Sequence, residues 1–105
     1  MNPSYVPIAS SELTAFCQRW RVSELALFGS VLRSDFAPDS DIDVLVTFSS
    51  DARWSLLDTA RMEDELSRLA GRPVDLVNRR AVERSDNWIR RQAILRSAEP
   101  IYVAG

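Results

Sequence analysis

Residues 24–48 read ELALFGSVLRSDFAPDSDIDVLVTF, and the fold turns on how this stretch divides. Glu24-Leu25-Ala26-Leu27-Phe28 is a short apolar run stopped by Gly29, which predicts a strand. Residues 30–34 predict one helical turn, and residues 35–40, with Pro38-Asp39-Ser40, carry the turn chemistry of a loop. From Asp41 the chain alternates, with Ile42, Val44, Val46 and Phe48 set against Asp41, Asp43, Leu45 and Thr47. A period of two is a strand with two distinct faces. Asp41 and Asp43 therefore stand side by side on one face while Ile42 enters the core.

Working outward, residues 1–9, with Pro3 and Pro7, read as an extended leader. Ser10 or Ser11 is placed to cap a helix whose apolar positions Leu13, Phe16, Cys17 and Trp20 follow the i, i+3, i+4, i+7 stripe. Downstream, the polar break Ser49-Ser50-Asp51 precedes a helix over about 54–70, with Leu56, Leu57, Ala60, Leu66 and Leu69 expected inward. Gly71 stands where a helix-terminating glycine belongs, and Pro73 follows. Val74-Asp75-Leu76-Val77 predicts a third strand. Residues 87–98 predict a last helix with Trp88, Ile89, Ala93, Ile94 and Leu95 as its apolar positions, and Ile101-Tyr102-Val103 a closing strand. No internal repeat or linker interrupts this order. It implies one domain over residues 1–105, of α+β (α/β-like) class, with a small mixed β-sheet and helices on one face.

Composition narrows the chemistry. The 105 residues carry 13 basic and 15 acidic side chains, for a net charge of −2, and every basic residue is arginine. Without histidine there is no Ser-His-Asp triad and no imidazole base. Without lysine there is no phosphate lysine of the Walker type and no Schiff base. One cysteine, Cys17, makes neither a zinc ligand set nor an intrachain disulfide, and reads as a small core residue. No apolar stretch approaches the roughly 18 residues of a membrane helix, and a cytoplasmic protein is expected. The near-zero net charge argues against a dedicated nucleic-acid binder. Carboxylates, hydroxyls, backbone amides and arginines remain, together with a hard metal on oxygen ligands.

Asp41 and Asp43 repel each other on one strand face unless a cation lies between them. Mg²⁺ or Mn²⁺, which favour few carboxylates plus waters and phosphates, suit the position. A calcium loop does not fit, because the apolar alternation continues through Phe48 and no glycine stands at the sixth loop position. If the third strand lies beside the second, Asp75 completes a three-carboxylate, two-metal cluster suited to in-line phosphoryl displacement. Gly29 permits close backbone approach, and the amides of Ser30 and Val31 with the Ser30 hydroxyl offer a phosphate-sized anion site that Arg33 can reach. The blander readings are a plain turn and a solvated arginine. Trp54, Trp88 and Tyr102 fit half-buried packing better than an interface. The arginines at 79, 80, 84, 90, 91 and 96 fit a solvated helix face, with Glu83 and Asp86 interspersed.

Phe28-Gly29-Ser30, ten intervening residues, then Asp41-Ile42-Asp43 heading an apolar strand resembles the G-S-x(10)-D-x-D signature of the DNA polymerase beta-like nucleotidyltransferase superfamily. Residues 27–46 look like those of its minimal members, with Gly29, Ser30, Arg33, Asp35, Pro38, Asp39, Ser40, Asp41 and Asp43 on the pattern. The segment 71–77 resembles the one bearing that family's third carboxylate, here Asp75, and 90–102 resembles its closing helix and strand. Ser34 departs from the glycine common there. The resemblance implies a nucleotidyltransferase fold and a transfer of NMP, AMP from ATP above all, onto a hydroxyl of a partner protein. Two Mg²⁺ (or Mn²⁺) ions would sit on Asp41, Asp43 and Asp75, with nucleotide on Gly29, Ser30 and Arg33. It further implies a helical HEPN-type toxin as partner, for which this chain is the antitoxin. A non-catalytic antitoxin that acts by binding, and a nucleotide-sensing module, are the alternatives, and homo-oligomerisation stays open.

Overall fold

The computed structural model describes residues 8–29 and 41–104. The expected helical turn at 30–34, the loop at 35–40 and nearly all of the leader lie outside the described residues, as do Ser30 and Arg33. The elements run α1 (Ser10–Arg19), β1 (Val22–Phe28), β2 (Ile42–Phe48), α2 (Leu56–Ala70), β3 (Val74–Asn78), α3 (Arg79–Glu83), α4 (Trp88–Ser97) and β4 (Glu99–Val103). The sheet order is β3-β2-β1-β4. β1 pairs antiparallel with both β2 and β4, while β2 and β3 are parallel, so the sheet is mixed as expected. Parallel neighbours need a long crossover, and α2 supplies it.

The strands bury alternate residues on opposite faces. Leu25, Leu27, Val44, Val46, Val74 and Leu76 join Leu13, Phe16 and Cys17 of α1 and Met62, Leu66 and Ala70 of α2 in the main core. Ala26, Phe28 and Leu45 meet Val82 of α3 and Ile94 of α4 on the other side. α1 and α2 thus share one face, but the helices are not confined to it as the sequence reading expected. The short α3, which the sequence reading did not predict, and α4 cover part of the opposite face.

Several expected details shift. The N-cap of α1 is Ala9, so Ser10 and Ser11 open the helix without capping it. α2 begins at Leu56, and Ser55 caps it in a reciprocal capping box: its hydroxyl accepts the Asp58 N–H at 3.1 Å while the Asp58 carboxylate accepts the Ser55 N–H at 2.9 Å. The buried stripe of α2 is Met62-Leu66-Ala70, one residue per turn. At 100° per residue, Leu56, Leu57 and Ala60 lie about 80–180° round the helix from that stripe. Leu56 and Leu57 are accordingly exposed. Trp88 and Ile89 of α4 are exposed as well, and only Ile94 of that helix is buried. Trp54 and Tyr102 are half-buried as expected. Trp54 packs edge-on against Trp20, ring centroids 5.1 Å apart, and donates its indole N–H to the Trp20 carbonyl at 3.0 Å. Gly71 closes α2 in the left-handed region, φ 73°, as its position predicts.

Candidate functional site

Strand register brings two of the expected carboxylates together. Asp43 of β2 stands directly opposite Asp75 of β3, and on its other side it pairs with Phe28 of β1. Directly paired residues project to the same face, so Asp43 and Asp75 share the face that α3 and α4 cover only in part. Asp41, two residues earlier, continues that row beyond the strand end. Asp43 is half-buried, whereas Asp41 and Asp75 are exposed. The Asp43 carboxyl titrates above the ordinary aspartate range, first because burial disfavours its charge, then because Asp75 and Asp41 repel it. Asp43 thus lies within electrostatic reach of both other carboxylates, although among the described residues no three acidic or cysteine side chains form a ready-made metal cage.

Gly29 follows Phe28 at the end of β1 with φ 76°. A Cβ placed there would lie 2.6 Å from Asp43 Oδ2. The position thus needs glycine twice, for its backbone angle and for the room it leaves to the carboxylate. The donor set suits a hard divalent cation: carboxylate oxygens of mixed exposure, an inner one destabilised by like charge, and a turn whose backbone comes close. Asp41, Asp43 and Asp75 are the residues that would hold such an ion.

A cleft of about 200 Å³ lies at the opposite end of the sheet, where β2 and β3 finish, and is lined by Phe48, Ala52, Arg53, Trp54, Asn78 and Arg80. It contains no carboxylate and is remote in register from Asp43. Residues 30–40, between Gly29 and Asp41 in the sequence, lie outside the described residues. Sequence reading also passed over two residues near Asp75. The Glu63 carboxylate accepts the Leu76 N–H at 2.7 Å, and the Ser67 hydroxyl accepts the Val74 N–H at 2.9 Å. Nothing local in the sequence marked either residue.

Residues 11–99 match the family model of the nucleotidyltransferase domain. The chain belongs to the nucleotidyltransferase domain family. The protein adenylyltransferase MntA of Thermococcus cleftensis is 42% identical over 60 residues, 57% of this chain and 59% of that protein. A solved structure assigned as a minimal nucleotidyltransferase is 34% identical, covers 87% of each chain and superposes with a TM-score of 0.66. A chain from the complex of a tri-AMPylated Shewanella oneidensis HEPN toxin with its MNT antitoxin superposes with a TM-score of 0.59. That match covers 90% of this nucleotidyltransferase chain and 69% of the other, and at 18% identity it shows the fold alone. The aligned part of the chain spans 59%, 64% and 65% of three curated relatives, less than two thirds of each. No helix among the described residues is long and apolar enough to cross a membrane.

Proposed function

We propose that residues 1–105 form a minimal nucleotidyltransferase domain that moves AMP from ATP onto a hydroxyl of a partner protein. In this reading the partner is a helical HEPN-type toxin, this chain is its antitoxin, and both act in the cytoplasm. The observation that carries the reading is Asp43 in register with Asp75, beside a glycine turn where any side chain would displace the Asp43 carboxylate. Asp41, Asp43 and Asp75 hold Mg²⁺, or Mn²⁺ in its place. A divalent ion bound there neutralises phosphate charge and stabilises an in-line displacement at phosphorus. Gly29 and Ser30 seat the triphosphate through backbone amides and hydroxyl, and Arg33 supplies positive charge where lysine is lacking. The acceptor oxygen bonds to the α-phosphorus as the bond to pyrophosphate breaks, and its proton passes to a carboxylate, Asp75 in this reading. The nearby relatives named for protein adenylyl transfer and for HEPN toxin complexes support this choice of substrate and partner. The exposed Trp88 and Ile89 of α4 supply apolar area for such a partner.

The test is co-incubation of the chain, a helical HEPN-type protein from the same source, Mg²⁺ and ATP labelled at the α-phosphate. Label should appear on the partner with the wild type and vanish with Asp43→Asn or Asp75→Asn. A complex that forms and protects cells equally well with both variants, with no label transferred, would replace the enzyme by a binding antitoxin.

A further inference from the structure

β3 is an edge strand, hydrogen-bonded to β2 on one side only. In a parallel ladder, alternate N–H groups of such a strand point away from its neighbour, towards the open edge. Those of Val74 and Leu76 do so, and each is taken by a side chain of α2: Val74 by the Ser67 hydroxyl, Leu76 by the Glu63 carboxylate. The Ser67 hydroxyl in turn donates to the Glu63 carbonyl at 2.7 Å, which fixes its orientation. Glu63 and Ser67 lie on the flank of α2 beside its Met62-Leu66-Ala70 stripe, so the packing that seats the helix also aims these two acceptors.

Between the two clamped amides sits Asp75. Its side chain projects to the other face, towards Asp43, while its backbone is held by the β2 ladder on one side and by α2 on the other. The β2 ladder and the burial of Val74 and Leu76 set the register of this five-residue strand, and the two α2 side chains are what hold its open side. We propose that Glu63 and Ser67 are positioning residues for Asp75: they clamp the open edge of β3 so that Asp75 stays level with Asp43. The inference rests on the reading of Asp43 and Asp75 as carboxylates that share a divalent ion. Glu63 is a fourth carboxylate near the site, yet it acts through the backbone and touches neither ion nor substrate.

The experiment measures Mn²⁺ affinity by electron paramagnetic resonance without nucleotide, and amide hydrogen exchange at Val74 and Leu76, on the full chain well below its melting temperature. Removing an outer group that orients a metal ligand typically costs about 10–100-fold in affinity. Glu63→Ala should weaken Mn²⁺ binding about 10-fold and speed exchange at Leu76. Glu63→Gln, which keeps an acceptor oxygen, should restore most of both. Ser67→Ala, a smaller change that folds if Glu63→Ala does not, should speed exchange at Val74 and weaken Mn²⁺ binding in the same direction. Unchanged Mn²⁺ affinity in Glu63→Ala and Ser67→Ala, with Asp75→Asn still strongly impaired, overturns the positioning role and leaves only protection of the edge. Unchanged affinity in Asp75→Asn itself overturns the shared-ion reading instead, so the two failures are distinct.

Discussion

Two glycines with almost the same backbone angle make an internal control for the site. Gly29 has φ 76° and Gly71 has φ 73°. An added Cβ at Gly71 meets nothing within 4 Å, whereas at Gly29 it lies 2.6 Å from Asp43 Oδ2. Gly71→Ala therefore pays the left-handed backbone term alone, roughly 1–2 kcal/mol. In a domain of this size that lowers the melting temperature by about 4–10 °C. Gly29→Ala carries the same term and a steric demand besides. Ordinary contact begins near 3.4 Å, so the Asp43 oxygen must withdraw by about 0.8 Å (3.4 less 2.6). Asp43 Cγ and Cβ, at 3.5 and 3.7 Å, already clear the new atom, so rotation of the carboxylate relieves the clash at small cost in stability.

The two variants should thus melt within a few degrees of each other and differ sharply in function. Displacing a reactive group by about 1 Å costs on the order of 100-fold, so Gly29→Ala should lose about that in adenylyl transfer while Gly71→Ala keeps activity near wild type. Thermal unfolding, label transfer and nucleotide-free Mn²⁺ binding form the assay. The last is the decisive one, because it separates the carboxylate from any role of Gly29 towards phosphate. If Gly29→Ala binds Mn²⁺ as tightly as wild type, Gly29 does not serve to make room for the Asp43 carboxylate.

Asp43→Asn should abolish transfer yet raise stability by about 0.2–1 kcal/mol, the range for an unfavourable cross-strand pair, read as a higher melting temperature near neutral pH. Since the folded pKa of Asp43 lies above its unfolded value, its charge destabilises the fold at pH above both values, and the penalty fades as pH falls through the folded pKa. The advantage of Asp43→Asn over wild type should therefore shrink on acidification. Asp58 has the opposite sign: its hydrogen bonds from the Ser55 backbone and hydroxyl lower its pKa, so its stabilisation is present above the unfolded pKa and is lost as pH falls through the folded one. Ser55→Ala should cost about 1 kcal/mol at neutral pH in chemical denaturation, and less in acid. Burial pushes the Cys17 thiol up to about 12 from 9.0, so it should resist iodoacetamide at pH 8 in the native state and react once the chain is unfolded. Above pH 9 the unfolded thiol ionises while the folded one does not, and stability should decline by up to about 1.4 kcal/mol per pH unit towards pH 12.

How much of this was legible in the sequence differs from element to element. β1, β2 and β3 announce themselves because their apolar residues alternate or run together, and Gly71 marks the end of α2 because a left-handed residue there favours glycine. The facing of Asp43 and Asp75 was conditional on β3 lying beside β2, which is a tertiary pairing that no local pattern encodes. The phase of α2 was misread because the helix opens on two adjacent leucines, yet Leu56 and Leu57 point away from the stripe that Met62, Leu66 and Ala70 form. α3 escaped notice since Arg79–Glu83 carries a single buried residue, Val82, and has no periodicity to detect. Glu63 and Ser67 were invisible for a different reason. A polar helix residue reads as solvated until a strand edge is known to lie beside it.

The site geometry depends on the core for its accuracy. Ile42, Val44 and Val46 enter the main core between α1 and α2, and Asp43 is thereby forced to the other face. A slip of one residue would exchange the faces, placing the Asp43 carboxylate among Leu25, Met62 and Leu66 and exposing three branched apolar side chains. Burying an unpaired carboxylate costs several kcal/mol, comparable to the whole margin by which a small domain is stable. The slipped state is therefore excluded by hydrophobic patterning, without any contact made by the carboxylates themselves. The charge on Asp43 is disfavoured by burial and by its acidic neighbours, and it is tolerated because the opposite face of the same strands fixes the register so firmly. If the carboxylates hold a cation as proposed, their alignment is maintained by residues that never meet it.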